Sequence, residues 1–314
     1  MKLSHLVASY VTFKKSTGCR FNTEAGMLKA FCRALGDIDV KDIKPDDVLA
    51  YLAGKGPVTT FWHQKFKVLN GFYRFAISRG HVSSSPLPTE LPKRPEGLVP
   101  YIYTTAELRR LLAATDILES KKSPLRAATF RALLLVLYGA ALRISEALSL
   151  TLADVDLREK LLTVRMSKFY KTRLVPIGPR LAAELAAYAN RRQQFPCPAG
   201  QDSAFFSARR GTAMERGHIR LTFRKLCNHA GIRREDGARY QPRLHDLRHS
   251  AAVNRLVAWY REGADIQRLL PLLATFLGHK DLVATQRYLT MTPDLLQEAN
   301  RRFERYALSE GNHV

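Results

Sequence analysis

Across 314 residues, 50 Lys and Arg stand against 28 Asp and Glu, a formal charge of +22 that would self-repel without a polyanionic partner, and nucleic acid heads that class. A surface made basic for solubility alone is the weaker account, because added carboxylates serve that purpose better. Cys19, Cys32, Cys197 and Cys227 show neither CxxC spacing nor a histidine at metal-finger distance, so neither a disulfide framework nor a zinc site is indicated.

The opening MKLSHLVASYVTFKK lacks the apolar core of a signal peptide, and no run of 18 apolar residues follows. The expectation is a soluble, reduced, intracellular protein with no membrane partner. Apolar residues at Leu3, Leu6, Val7, Tyr10 and Val11 recur with helical period, as do Met27, Leu28, Phe31, Cys32 and Leu35. Pro45, followed by Asp46 and Asp47, reads as a helix start ahead of Val48, Leu49 and Leu52, and Phe66, Leu69, Phe72, Tyr73 and Ala76 make a fourth stripe. These four helices predict a small N-terminal domain, residues 1–84. Its polar faces carry Lys14, Lys15, Lys65, Lys67, Arg74 and Arg79, which suit phosphate contacts or plain solvated charge equally.

The stretch HVSSSPLPTELPKRPEGLVP, residues 81–100, holds five of the 15 prolines and cannot sustain a helix or central strand. It predicts an extended linker, centred on residues 85–103. Up to residue 104 there are 15 basic and 8 acidic residues, and beyond it 35 and 20, so both sides of the linker carry the surplus, as two halves of a clamp would.

After the linker, Thr104 and Glu107 in TTAE form a capping box, opening a helix through Leu111 and Leu112. The apolar FRALLLVLYGAAL then leads into RISEALSL. Two β-rich runs, Leu161 to Met166 and Arg173 to Ile177, flank a basic turn and read as a hairpin. Helices are expected over 179–194, 216–230, 245–261, 265–277 with Pro271 as a kink, 282–289 and 293–308. The fold class is therefore mainly α with a small β-hairpin, in two domains, the second spanning 104–314.

In LHDLRHSAAV, His245, Arg248 and His249 share one helical face, since residues three and four apart are neighbours. Arg143 in ALRISEAL, Lys168 in the hairpin turn, His245 and Arg248 in HDLR, His279 in LGHK and Tyr288 in TQRYL fall in the order of the tyrosine recombinases of the phage integrase family, which the chain resembles over nearly its whole length. Arg143 is followed by Glu146, and Tyr288 comes nine positions after His279, as in that family.

The resemblance implies a four-helix core-binding domain, a catalytic domain, and site-specific DNA recombination through a 3′-phosphotyrosyl intermediate and a Holliday junction, without metal, ATP or other cofactor. Tyr288 is the implied nucleophile, Arg143 and Arg248 the phosphate clamp, His245 the proton acceptor, His279 a donor to a phosphate oxygen, and Glu146 an orienting partner. Arginine suits the clamp because its planar fork binds phosphate in bidentate fashion and keeps its proton. Lys168 aligns with the lysine that protonates the leaving 5′-oxygen, but the turn reads SKFYKT where the family commonly has GKG, which leaves Lys171 a rival. Lys171 and Arg173 are otherwise expected to contact DNA, and His249 and Lys280 to be structural or to contact phosphate.

The segment VAWYREGADIQRLLPLLATF is longer than in compact members, and Leu269, Leu270, Leu272 and Leu273 predict that it lengthens two packed helices. Beginning directly with the core-binding domain, the chain looks like the compact Xer, integron or transposon-encoded recombinases. The implied partners are duplex DNA with paired half-sites and three further copies in a tetramer, with a second recombinase or accessory protein as an option, in a bacterial cytoplasm at the nucleoid. The tail is expected to form a helix capped by Thr292, with Pro293 first and Leu295, Leu296, Ala299, Phe303 and Tyr306 in one stripe that docks on a neighbouring protomer or on its own core. Two other readings share part of the pattern: a type IB topoisomerase-like enzyme with the same chemistry, and a non-catalytic DNA-binding regulator, against which the intact residue set argues.

Overall fold

The N-terminal helices form where apolar spacing and start signals coincide. In the computed structural model, which describes residues 1–54, 56–95, 97–165, 172–207, 212, 214–290 and 293–310, they are α1 (Leu3–Ser16), α2 (Asn22–Leu35), α3 (Pro45–Ala53) and α4 (Thr60–Ser78). Pro45 occupies the first position of α3, where its missing N–H costs nothing, and the Asp47 carboxylate accepts from the Lys44 N–H at 3.1 Å. Leu6, Leu28, Phe31, Val48, Leu52, Leu69 and Phe72 close a core of their own.

One expectation for this unit is corrected. Lys65 is not on a polar face: it is 8 % exposed, in register with buried Trp62, Leu69 and Phe72, and its ammonium donates to the Tyr51 carbonyl at 2.5 Å while lying over the Tyr51 ring. Lys15, Lys67 and Arg74 are exposed, and the Lys14 ammonium lies over the rings of Tyr10 and Phe13.

The chain divides into two compact units, Met1–Gly97 and Leu98–Val314. Among the described residues from Arg79 to Thr104 there is no helix or strand, as the prolines dictate. Val82 and Leu87 pack on the core of the first unit. In the second, Arg234 donates to the carbonyls of Val99 at 2.8 Å and Pro100 at 3.3 Å.

The second unit begins with α5 (Thr105–Ala113), where the Thr104 hydroxyl accepts from the Glu107 N–H at 3.2 Å and the Glu107 carboxylate accepts from the Thr104 N–H at 2.9 Å. Next, α6 (Arg126–Gly139) buries Phe130, Leu133, Leu134, Val136 and Leu137, an apolar surface almost all round that marks a central helix. It packs against α8 (Pro179–Gln193) and α10 (Leu244–Arg261).

Between α7 (Ile144–Leu148) and α8 the expected hairpin is present, and it gains a strand that its two-residue length hid: β1 (Val155–Asp156), β2 (Leu161–Val164) and β3 (Arg173–Pro176) pair antiparallel in that order, with Leu162 opposite Val175. The remaining helices are α9 (Arg216–His229), α11 (Ile266–Leu277), α12 (Val283–Gln286) and α13 (Pro293–Glu310). Pro271 lies within α11, where Leu270 and Leu273 are buried but Leu272 is exposed, so the leucine cluster is only partly a packing face. Among the described residues no helix is long and apolar enough to cross a membrane.

The tail stripe divides rather than staying whole. Leu295 is buried against Leu256 and Val257, Glu298 pairs with Arg261 at 3.1 Å and Arg302 donates to the Ala264 carbonyl, all within this chain, while Leu296 and Phe303 stay exposed. Thr292 and the Tyr306 side chain lie outside the described residues.

The capping box at α5 yields a direct test. Thr104→Ala should lower stability by about 1 kcal/mol, and Thr105→Ala, next to it and exposed, by less than about 0.5 kcal/mol; urea-unfolding midpoints compare the two.

Candidate active site

The site is built where α6 ends. Ala141 adopts a left-handed conformation, φ 49°, which turns the chain sharply after Gly139. Its carbonyl accepts from Arg248 Nη1 at 2.5 Å, and the Leu277 carbonyl at the end of α11 accepts from Nη2. Arg248 is thereby held at 2 % exposure between three segments distant in sequence.

Arg143 follows as the residue capping α7. The Glu146 carboxylate accepts from the Arg143 N–H at 3.0 Å and from its Nη1 at 2.7 Å, while Nη2 donates to the Gly278 carbonyl at 3.1 Å. This is the ion pair that spacing within α7 allows, yet it leaves the guanidinium about a quarter exposed toward the site.

Arg173 does not stand out from the hairpin as expected. It donates two hydrogen bonds to Glu146, at 2.9 and 3.1 Å, and a third to the Phe276 carbonyl. Strand alternation explains the inward course, because Arg173 lies on the same face as buried Val175. Its guanidinium lies over Gly278, where an added Cβ would stand 2.7 Å from Nη1, and Gly278 itself has φ 64°. Both close approach and dihedral require glycine in LGHK.

Gly278 closes α11 with bonds from its own N–H to Thr275 O and from His279 N–H to Ala274 O, both 2.9 Å. That cap delivers His279, whose Nδ1 lies 2.6 Å from the Thr285 hydroxyl. Tyr288, on a single 3-10 turn at Arg287–Thr290, is 3 % exposed; its ring lies 6.0 Å from that of His279 and 5.6 Å from that of His249. His245 is exposed and meets His249 edge-on at 4.6 Å.

Arg143, His245, Arg248, His279 and Tyr288, with Glu146, are therefore assembled in one place. Lys168 and Lys171 lie outside the described residues, and Lys280 is exposed beside the cluster. Two further residues belong here: His249, expected to be structural or to contact phosphate, and Thr285, which the sequence does not single out. His249 contacts the phenol, a position its four-residue offset from His245 signals, and its Nδ1 is buried without a partner. Thr285 is fully buried, and nothing local announces its pairing with His279.

The electrostatics follow from burial beside cations. Burial drives the Glu146 carboxyl upward, but hydrogen bonds and charge from Arg173 and Arg143 outweigh it and bring it down to about 2. Desolvation lowers Arg248 to about 10, helped by Arg143, so it stays charged at neutral pH. His249 falls to about 4 through desolvation and His245, and His279 to about 4 through desolvation, Arg248 and Arg143; His245 is lowered by the same kinds of cause. Burial raises the Tyr288 phenol, opposed by the charge and hydrogen bond of Arg248. Among the described residues no three His, Cys, Asp or Glu are grouped to hold a metal ion.

Because the folded Glu146 carboxyl is held below its unfolded value, native protein binds fewer protons than unfolded protein between pH 4.5 and about 2. Its contribution is complete above pH 4.5 and is lost as pH falls through the folded value. The stability gap between wild type and Glu146→Gln, followed by denaturant unfolding, should therefore be constant from pH 7 to 5 and narrow below 4.5.

The model of the phage integrase family matches residues 102–294. A Sinorhizobium fredii protein, y4rB, named as an integrase/recombinase, is 34 % identical over 303 residues, covering 95 % of this chain and 96 % of its own. A tyrosine recombinase XerC from Chlorobaculum parvum is 31 % identical, covering 83 % and 77 %. Among solved structures, a Tn1549 transposon integrase in complex with a circular intermediate DNA has a TM-score of 0.71 at 17 % identity over 97 % of this chain and 99 % of that one. A lambda integrase dimer bound to a core site has 0.64 at 18 %, over 90 % and 97 %. The chain belongs to the phage integrase family and is a tyrosine-type site-specific DNA recombinase.

Proposed function

We propose that this protein cuts and rejoins DNA at the cluster around Tyr288, and the observation that carries the proposal is the phenol set against Arg248 with the His249 and His279 rings beside it. The Tyr288 oxygen attacks phosphorus, a P–Oη bond forms, and the bond to the 5′-oxygen breaks, leaving a 3′-phosphotyrosine and a 5′-hydroxyl. The phosphodiester energy stays in the covalent link, so rejoining is the same step in reverse and needs no ATP.

Three guanidiniums, Arg143, Arg173 and Arg248, stand in a site with one carboxylate, Glu146, which pairs with Arg143 and Arg173 while Arg248 is held by backbone carbonyls. The net positive surplus matches the charge that develops on the non-bridging oxygens, and Arg143 and Arg248 direct it at them. His245, exposed and neutral, takes the phenol proton as the bond forms, and His279 donates to a phosphoryl oxygen. Lys168, with Lys171 as the rival, gives the proton to the departing 5′-oxygen.

The DNA is duplex with paired half-sites, gripped by both units through their basic surplus, Lys14, Lys15, Lys67 and Arg74 in the first and Lys171 in the second among the contacts. Support for DNA as the partner comes from solved relatives of the same fold, described as bound to a core site or to transposon DNA. Two protomers fill each site and two sites pair in a tetramer. The exposed Leu296 and Phe303 of α13 supply an apolar face for the neighbour. The biological outcome is movement or resolution of a mobile element or replicon.

Tyr288→Phe should retain specific DNA binding and lose the covalent protein–DNA band on denaturing electrophoresis; a surviving band would mean that another residue attacks. Lys168→Ala should cleave ordinary DNA poorly and recover when the 5′-bridging oxygen is replaced by sulfur, a leaving group that needs no proton. Rescue that follows Lys171→Ala instead would move the acid to Lys171.

A further inference from the structure

His279 has its backbone fixed by the cap of α11 and one ring nitrogen committed. Its Nδ1 meets the Thr285 hydroxyl at 2.6 Å, and Thr285, on α12 with its N–H bonded to the Leu282 carbonyl at 2.8 Å, is fully buried. The ring lies nearly parallel to that of Tyr288, 20° apart, and with Nδ1 engaged by Thr285 its Nε2 is the nitrogen left for a phosphate.

A neutral imidazole carries one N–H and therefore one choice of nitrogen. Desolvation and the neighbouring arginines hold His279 at about 4, which makes that choice real at neutral pH; a cation would donate from both nitrogens and Thr285 would decide nothing. If Nδ1 carried the hydrogen, Nε2 would turn a lone pair toward the anionic phosphoryl oxygen. A threonine hydroxyl can donate or accept, and where Thr285 donates to Nδ1 the hydrogen must sit on Nε2 instead.

We infer that Thr285 is a positioning residue whose buried hydroxyl holds His279 in the Nε2–H tautomer, so that His279 donates to the scissile phosphate. The inference rests on the proposed role of His279 and reaches a residue that does not touch DNA.

The test uses the full chain with Thr285→Val, which swaps hydroxyl for methyl at nearly constant volume, and Thr285→Ser, which restores the donor. Single-turnover formation of the covalent complex should fall roughly tenfold in Thr285→Val, the kinetic equivalent of about one neutral hydrogen bond. Thr285→Ser should recover most of it, and DNA affinity should be unchanged in both. Imidazole ¹⁵N shifts of His279 should report the Nε2–H tautomer in wild type and Thr285→Ser and a mixed or reversed population in Thr285→Val. In a His279→Ala background, Thr285→Val should add no further loss.

Wild-type cleavage by Thr285→Val while His279→Ala is slow would overturn the inference alone. So would slow cleavage with the His279 tautomer unchanged. Wild-type cleavage by His279→Ala would instead remove the role assigned to His279, and the inference with it.

Discussion

Three guanidiniums share a site that is nearly dry, and most of the catalytic unit is arranged to make that tolerable. Arg248 is 2 % exposed, and the side chains of Arg173 and Arg143 are 12 and 27 % exposed. Taking such charges out of water costs several kcal/mol each in general terms and is repaid only when the hydrogen bonds are well made. Here one carboxylate, Glu146, serves two of the arginines, and the carbonyls of Ala141, Phe276, Leu277 and Gly278 serve all three. Left-handed backbone at Ala141 and Gly278 is where the chain gives up conformational ease to aim those carbonyls. The excess of positive charge left over is fixed before any polyanion arrives, so little rearrangement is needed when charge develops.

The same cations divide the chemistry between residue types. Beside them no histidine is stable as imidazolium at neutral pH, with His249 and His279 both brought to about 4 and His245 shifted the same way. The lasting positive charge of the site is therefore carried by the arginines, and the imidazoles of His249 and His279 beside them are neutral. Tyr288 faces opposed influences, burial raising its pKa and Arg248 lowering it, with burial the larger, so the phenol keeps its proton at neutral pH.

Much of this was legible in the residues because it is local. Helical period marks the four N-terminal helices, Thr104 and Glu107 mark the start of α5, and the motif order marks Arg143, His245, Arg248, His279 and Tyr288. Two misplacements were also readable in principle. Lys65 keeps the three- and four-residue spacing of Trp62, Leu69 and Phe72, so its stem follows the buried stripe of α4; Arg173 alternates with Val175 and must share its face. What no local pattern reveals is pairing across the fold: Arg173 with Glu146, Arg248 with two distant carbonyls, the two-residue strand β1, and the buried Thr285 hydroxyl on His279.

Tyr288 and the tail helix are not independent parts. Tyr288 and Leu295 belong to one apolar cluster with Leu256 and Val257 of α10, and only six residues separate them along the chain. Packed clusters have discrete arrangements rather than continuous give. A shift of α13 that withdrew Leu295 would open space beside Leu256 and Val257, next to the phenol, and an outward swing of Tyr288 would strip the same cluster from the other side. The Glu298 to Arg261 ion pair and the Arg302 bond to Ala264 hold α13 to α10, but the ion pair involves a largely exposed arginine and is individually weak. The hold on the tail is thus mostly apolar and centred on Leu295, so the burial of the Tyr288 ring and the seating of the helix stand or fall through the same apolar cluster.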